Sequence, residues 1–460
     1  MLNGKKVLVL GLAKSGQAAV ELLTALHATI TVNEYASREK IACYDEYVHR
    51  GIEMITGGHP QELFERDFDF VVKNPGINYH KPFVLRLKER GIPVYTEIEL
   101  AYQVAQMQNY IAITGTNGKT TTVTLIDEIL KHAHHLSCLA GNVGIPYSSC
   151  VLDNDLLHRD GYDVVLEMSN FQLLDIEKFH PHISTIINLT PDHLDYMASL
   201  DEYYASKTRI YMNQDKQDYF IENLDDEILQ SYLRKYPVLA QRVTFSLTQP
   251  ADCMIQNQAI YYKGNHVIDL DEIKIVGDHN IQNMMIAIIA CALSHVSLSD
   301  IHDTLASFQG VEHRIEFVRE YHGVKYYNDS KATNTDAAII ALKAFKQPVI
   351  LLMGGHEKGL DLTEMSSYAS KISTLICFGE AKERFAREMH VDNTIVVEHM
   401  KDAVLKAQQI SHEGDVVLLS PSTSSYDEFS GYEERGRVFK QIVNEWNSQL
   451  KEFVKKSKSL

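Results

Sequence analysis

At 460 residues the chain is too long for one hydrophobic core, and about three domains is the natural expectation. Its 45% hydrophobic and 23% charged residues are those of a globular protein, and no apolar run is long enough for a transmembrane helix. A formal net charge of −17 argues against a nucleic-acid or anionic-membrane partner, so an anionic substrate has to be held by local cations and backbone dipoles.

Met1 leads straight into Lys5-Lys6 and a strand, with no signal-peptide pattern. The six cysteines (Cys43, Cys138, Cys150, Cys253, Cys291, Cys377) form no C-x-x-C pair, which predicts buried free thiols in a reducing cytoplasm. The first block alternates strand and helix. Strands are predicted at 6–10, 29–32, 70–72 and 93–95, with a helix at 17–25, as in a parallel Rossmann-like domain of residues 1–98. The second block, 99–309, begins with a strand at 110–113 and continues with strands at 163–166 and 183–189. A polar, less regular stretch then spans 214–271, before a helix at 279–295. The third block, 310–460, alternates again, with strands at 325–328, 349–353, 375–378, 395–397 and 416–419 and a helix at 336–345. The Lys- and Ser-rich tail, 451–460, reads as a solvated helix end. The fold class is therefore α/β in three domains with mostly parallel sheets.

The most informative segment is Gly115-Thr116-Asn117-Gly118-Lys119-Thr120-Thr121, set between the strand at 110–113 and a helical pattern (Val123, Leu125, Ile126, Ile129, Leu130). Strand, Gly-rich turn, Lys and hydroxyl is how a chain grips nucleotide phosphates. Backbone N–H groups face the anion, the Lys supplies charge, and the hydroxyl can hold Mg²⁺. The run is shorter than G-x-x-x-x-G-K-[ST], which would place Gly where this chain has Ile113.

Other groups are weaker alone. Gly11-Leu12-Ala13-Lys14-Ser15-Gly16 resembles G-x-G-x-x-G, but Ala13 replaces the Gly that lets a pyrophosphate approach. It reads equally as a tight βα turn, although Lys14 and a helix dipole could hold a diphosphate, with Glu34 accepting from a nucleoside. Glu167, just past the strand at 163–166, is placed like a metal-binding carboxylate. His193, past the strand at 183–189, alone reads as structural; the tandem with Glu167 favours metal. Lys207, in Ala205-Ser206-Lys207, reads as surface charge on pattern alone. Asn280 and Asn283 suit helix capping. Arg314 follows a Gly-containing break, where an Arg can reach a γ-phosphate as domains close. Three loops after strands, 328–334, 354–359 and 422–429, suggest a small-anion pocket.

Together these segments resemble the Mur ligase family, the ATP-dependent amide-bond ligases of cell-wall precursor synthesis. The motifs that carry the resemblance are 115–120, 167–172, 192–195, 205–207, 277–280, 313–314 and 328–333, and they span nearly the whole chain. The runs at 328–334 and 420–429 are similar to the D-glutamate-adding member, and the Asp-Asn-Pro-Arg signature of the diaminopimelate- or lysine-adding members is absent.

The resemblance implies phosphorylation of a UDP-linked muramoyl-alanine carboxylate and attack on the acyl phosphate by D-glutamate. It implies ATP at Gly115, Thr116, Asn117, Gly118, Lys119, Thr120, Thr121, Asn280, Asn283, Arg314 and Asp329. Two Mg²⁺ would be held by Thr120, Glu167, His193 and a carbamylated Lys207. Lys14, Ser15, Glu34, Asn142 and Ser169 would meet the UDP-substrate, and Lys331, Thr333, Lys358, Ser425 and Tyr432 would meet D-glutamate. The catalytic group would be Lys119, His193, Lys207 and Lys331. Tyr432 stands where the family pattern leads one to expect Phe, so its hydroxyl needs a partner. A cytoplasmic monomer acting on small molecules is expected. The rivals are a folylpolyglutamate synthase-like ligase, a nucleotide-dependent oxidoreductase and a non-catalytic nucleotide switch. They are disfavoured by the N-terminal Rossmann-like block, by Ala13 and by the set of metal ligands, respectively.

Overall fold

A computed structural model describes residues 2–142, 144–190 and 199–457, with side chains through Glu445. It divides into two compact units: Met1–Ile268 with Gln282–Leu305, and Asp269–Ile281 with Ala306–Leu460.

The first unit holds two sheets. Its five-stranded sheet is ordered Glu53–Thr56, Thr29–Glu34, Lys6–Leu10, Phe70–Lys73, Val94–Tyr95, all parallel. The apolar runs that predicted these strands are buried on both faces, as parallel strands under helices must be. The second sheet has nine strands, and Asn109–Thr114 lies between Asp163–Glu167 and Ile183–Ile186. The chain leaves that central strand toward opposite sides of the sheet. It therefore stands at a topological switch point, where the carboxyl ends of the strands leave a crevice.

Inside this unit the helix Lys14–Ala25 buries Ala19, Val20, Leu22 and Leu23 in a core shared with Tyr147, Cys150 and Val151 of the helix Tyr147–Asp153. A buried ion cluster ties the two sheets. Asp175 lies 3.2 Å from Lys73 and 2.7 Å from Lys88, and both Lys73 and Asp175 are 1% exposed. Burial pulls the Lys73 pKa down, and Asp175 opposes that shift. Asp175→Asn strands the Lys73 ammonium and is expected to lower the unfolding free energy of this unit by about 3 kcal/mol, read as a shift in urea midpoint.

Two expectations are corrected here. The stretch 214–271 is regular, comprising strands Tyr219–Asn223, Gln241–Ser246, Cys253–Gln256, Ala259–Tyr262 and Asn265–Asp269 and the helix Glu227–Lys235. Its last strands are short and join through two-residue turns with left-handed backbone at Asn257-Gln258 and Lys263-Gly264. Only one of those four positions is Gly, so the usual hairpin signal is missing. Second, the cysteines are not all apart: Cys138 and Cys150 are brought face to face, with Cα atoms 7.0 Å apart, whereas Cys43, Cys253, Cys291 and Cys377 are free. The strand Ser137–Gly141 and the helix Tyr147–Asp153 fold back on each other, which scattered spacing could not reveal. The strands Glu53–Thr56 and Ser137–Gly141 also lacked a sequence signal.

The second unit has one six-stranded sheet, ordered Glu316–Tyr321, Val324–Asn328, Val416–Leu419, Val349–Gly354, Ile372–Phe378, Thr394–Val396. Only the first pairing is antiparallel. The carboxyl ends of Val324–Asn328, Val416–Leu419 and Val349–Gly354 therefore lie side by side, and the three predicted loops leave from that one edge.

Candidate active site

In the first unit the turn after Asn109–Thr114 feeds the helix Lys119–His132. Gly118 is left-handed (φ 86°), and a Cβ there would collide with Asn283 Oδ1, so no other residue fits without displacement. The turn is braced from the neighbouring strand end. Thr116 N–H donates to Asn188 O at 3.1 Å, Asn117 N–H to Asn188 Oδ1 at 2.9 Å, and Thr190 N–H to Thr116 Oγ1 at 3.0 Å. Thr122 Oγ1 lies 3.1 Å from Asn283 Oδ1. Lys119 Nζ folds back on its own loop, donating to Gly115 O at 2.9 Å and Thr116 O at 2.8 Å. Asn188 and Thr190 went unassigned in the sequence; they sit just past a strand end, the one signal they carry.

Glu167 closes the neighbouring strand and is 1% exposed. Its carboxylate accepts from Thr120 Oγ1 at 2.9 Å and from Asn142 Nδ2 at 2.9 Å. A hydroxyl and a buried carboxylate beside a phosphate turn are the hard oxygen donors that suit Mg²⁺. Ser169, two residues on, caps the helix Asn170–Leu173 in a capping box with Gln172.

Lys207 is no surface charge. It is 1% exposed, donates to Gly115 O at 3.0 Å and lies 4.6 Å from the centre of the Tyr203 ring. Two lysine ammonium groups thus converge on one carbonyl oxygen. His193 lies outside the described residues. The structure brings Gly115–Thr121, Asn142, Glu167, Lys207 and Asn283 together in this unit, whereas Asn280, Arg314 and Asp329 belong to the second.

On the five-stranded sheet, Glu34 does not present an open carboxylate. It accepts from Leu12 N–H at 2.6 Å and Ala36 N–H at 3.0 Å. Ser15 Oγ accepts from Asn74 at 3.0 Å, and Lys14, exposed, begins a helix with no side-chain cap. The first N–H groups of that helix are therefore left without a side-chain acceptor from the cap residue.

In the second unit the three loops are tied by a residue given no role in the sequence reading, Arg435. It is fully buried. Its guanidinium donates to Ser330 Oγ (3.0 Å), Ser330 O (2.9 Å), Thr423 O (3.0 Å) and Gly354 O (3.4 Å). Nothing in an Arg inside an amphipathic helix announces burial. The neighbouring Gly436 is the one hint, because a Cβ there would strike His313 Nδ1.

Lys331 Nζ lies 5.8 Å from the centre of the Tyr432 ring, and Lys358 Nζ is 3.5 Å from Thr333 O. Burial, and then the neighbouring Glu433 carboxylate, raise the pKa of the Tyr432 hydroxyl. Ser424 Oγ and Ser425 Oγ are buried without a partner among the described residues, as polar groups awaiting a ligand would be. His313 (φ 67°) and Ile315 (φ 42°) flank the exposed Arg314 in left-handed backbone, strain that marks a constrained segment. Asn280 Nδ2 donates to Val276 O at 2.7 Å.

Asp329 is buried and bonded to Ser420 Oγ at 2.7 Å and Ile315 N–H at 3.2 Å; burial raises its pKa to about 7. The folded state then holds a proton that the unfolded chain releases near pH 4. Its contribution to stability is whole below about pH 4 and declines up to about pH 7. Asp329→Asn is expected to flatten that part of the second unit's pH–Tm profile, measured by calorimetry.

Comparison with known proteins places the chain in a family. Residues 5–96 match the MurD-like N-terminal domain of Mur ligases, 113–291 the Mur ligase middle domain, and 313–423 the Mur ligase glutamate ligase domain. UDP-N-acetylmuramoylalanine–D-glutamate ligase of Geobacillus kaustophilus is 40% identical over 446 residues, 96% of this chain and 97% of that protein. Its namesake in Streptococcus thermophilus is 40% identical over 444 residues, 95% and 97% of the two chains. The solved UDP-N-acetylmuramate–alanine ligase of Thermotoga maritima shares the fold, with a TM-score of 0.54 at 18% identity over 97% of this chain and 100% of that one. By its three matched domains and these relatives, the chain belongs to the Mur ligase family.

Proposed function

We propose that this chain is an ATP-dependent ligase that joins D-glutamate to UDP-N-acetylmuramoyl-L-alanine in peptidoglycan precursor synthesis. The observation that carries the reading is the phosphate turn with Thr120 bonded to the buried Glu167, in a chain 40% identical to D-glutamate ligases over nearly its full length. The substrate carboxylate attacks the γ-phosphorus of ATP, giving an acyl phosphate and ADP. The D-glutamate amine attacks the acyl carbon, loses a proton, and phosphate leaves. The protein's part is positioning and charge neutralisation.

Lys119 leaves its loop carbonyls to meet the β- and γ-phosphates. The N–H groups from Gly118 to Thr121 hold the same anion on a turn that Gly115, Thr116 and Asn117 shape, the last two through their bonds to Asn188, and Asn280, Asn283, Arg314 and Asp329 line the nucleotide. Thr120 and Glu167 would hold one Mg²⁺, and His193 with a carbamylated Lys207 would hold a second; Mg²⁺ would supply Lewis-acid neutralisation of phosphoryl charge. Carbamylation also resolves the meeting of two ammonium groups at Gly115 O, turning a like-charge pair into an opposite one. Lys14, Ser15, Asn142 and Ser169 face the UDP-substrate, and Glu34 shapes that turn from behind. Lys331, Thr333, Lys358, Ser425 and Tyr432 take D-glutamate. The domains run 1–98, 99–309 and 310–460. Among the described residues no helix is long and apolar enough to cross a membrane; the enzyme works as a cytoplasmic monomer on small molecules.

The test is phosphate release from ATP with UDP-N-acetylmuramoyl-L-alanine and each of D-glutamate, L-glutamate, L-alanine and L-lysine. Release with D-glutamate alone is expected. Release with a different amino acid would move the chain to a sister step, and release independent of any amino acid would overturn the ligase reading.

A further inference from the structure

We propose that His180, Asp215 and Asp218 form a binding site for a borderline transition ion of the Zn²⁺ class, on the sheet edge opposite the phosphate turn. Among the described residues their ligating atoms, one imidazole nitrogen and two carboxylate oxygens, lie within 4.8 Å of one another. His180 Nε2 is hydrogen-bonded to Asp218 Oδ2 at 2.6 Å, and Asp215 N–H donates to the same oxygen at 2.7 Å, so a bound ion takes the place of the proton shared by His180 and Asp218. The other oxygen, Oδ1, is 3.3 Å from His182 Nδ1, so a second imidazole orients the carboxylate as outer partners do in metal sites. Asp218 is buried and Asp215 exposed, so an ion has one fixed anchor and one side reachable from water.

The placement is built by the sheet. His180 and His182 precede the strand Ile183–Ile186, and Asp218 precedes Tyr219–Asn223, its parallel neighbour, with Tyr219 opposite Ile183. Tyr219 N–H donates to His182 O at 2.8 Å. Gln214 Nε2 bridges Pro181 O and Tyr219 O, each at 3.0 Å, and locks the two segments together. These are the amino ends of the strands, whereas the phosphate turn leaves the carboxyl end of Asn109–Thr114. The proposed ion is therefore remote from the chemistry assigned above. His180, His182 and Asp218 border a cavity of about 1020 Å³ that admits a hydrated ion, and the positive charge of Lys178 on it is offset by Asp160 and Asp218, with Asp215 lying outside the lining.

The donor set decides the metal. One imidazole with two carboxylates is a Zn²⁺ pattern with a position left for water, and the nitrogen disfavours Mg²⁺, which takes oxygen ligands in a strict octahedron.

The experiment uses the full chain stripped of metal and titrated with Zn²⁺ against a chromophoric chelator, with Co²⁺ as a spectroscopic stand-in. The expected result is one equivalent bound in the presence of excess Mg²⁺, with visible Co²⁺ bands. His180→Gln and Asp215→Asn should each weaken binding at least about tenfold while leaving D-glutamate-dependent phosphate release unchanged. Asp215 is exposed, so its substitution keeps the fold even if His180→Gln does not. No Zn²⁺ binding, or binding unchanged in Asp215→Asn and in folded His180→Gln, would overturn the site.

Discussion

Lys207→Ala is expected to lower D-glutamate-dependent phosphate release by about 10²–10³-fold, the usual cost of one preorganised charge at a transferring group. The position is unusual for a lysine. Its side chain is sealed to 1% exposure, its ammonium reaches Gly115 O at 3.0 Å, and Lys119 Nζ reaches the same oxygen at 2.9 Å. A simple cation at Lys207 duplicates what Lys119 already supplies and repels it. A carbamate formed there, by attack of the neutral amine on CO₂ with loss of a proton, gives an anion that attracts Lys119 and ligates metal.

Two further variants separate these states. Lys207→Arg preserves the charge and forbids the carbamate, so it should be as inactive as Lys207→Ala. Added acetate or formate should partly restore Lys207→Ala and leave Lys207→Arg unchanged. An active Lys207→Arg enzyme would show that a cation suffices and would end the carbamate proposal.

Why Lys207 reads as surface charge in the sequence is instructive. Its helix, Leu200–Thr208, has no clear apolar stripe: Tyr203, Tyr204, Ser206, Lys207 and Thr208 are all buried, and most of them are polar. Periodicity reports burial only when burial is apolar. The phosphate turn was legible for the opposite reason, since an apolar strand, two glycines and Lys-Thr each have a local cause. The same holds for the buried parallel strands, continuous in Val, Ile and Leu, and it fails for 253–269, where polar side chains and unusual turn residues hide two hairpins. Glu34 was placed correctly at a strand end, but its carboxylate serves the turn's own N–H groups, a pairing that depends on where Leu12 and Ala36 fold. Arg435 was invisible because its partners are backbone carbonyls of three distant loops, which no spacing encodes.

Arg435 carries the second large prediction. Burial lowers its pKa to about 10, which still leaves it charged at neutral pH, and that charge is spent on carbonyls of the three segments bearing Lys331, Lys358 and Ser425. A planar guanidinium can address Ser330, Thr423 and Gly354 together, and a lysine ammonium lacks that fork. Arg435→Lys should therefore fold, because a cation still meets the buried carbonyls, but let the loops drift relative to one another. Misplacement of about 1 Å costs about 10²-fold in a site built on positioning. The loss should appear as a raised KM for D-glutamate together with a lowered kcat, while ADP affinity measured by calorimetry stays near wild type, since the phosphate turn is held by its own braces at Asn188 and Thr190. Arg435→Met, which leaves those carbonyls buried and unbonded, should also lower the thermal midpoint of the second unit. A lower midpoint in Arg435→Met with wild-type kinetics in Arg435→Lys would make Arg435 a packing residue only; wild-type stability with a raised KM for D-glutamate in Arg435→Lys is the signature of positioning.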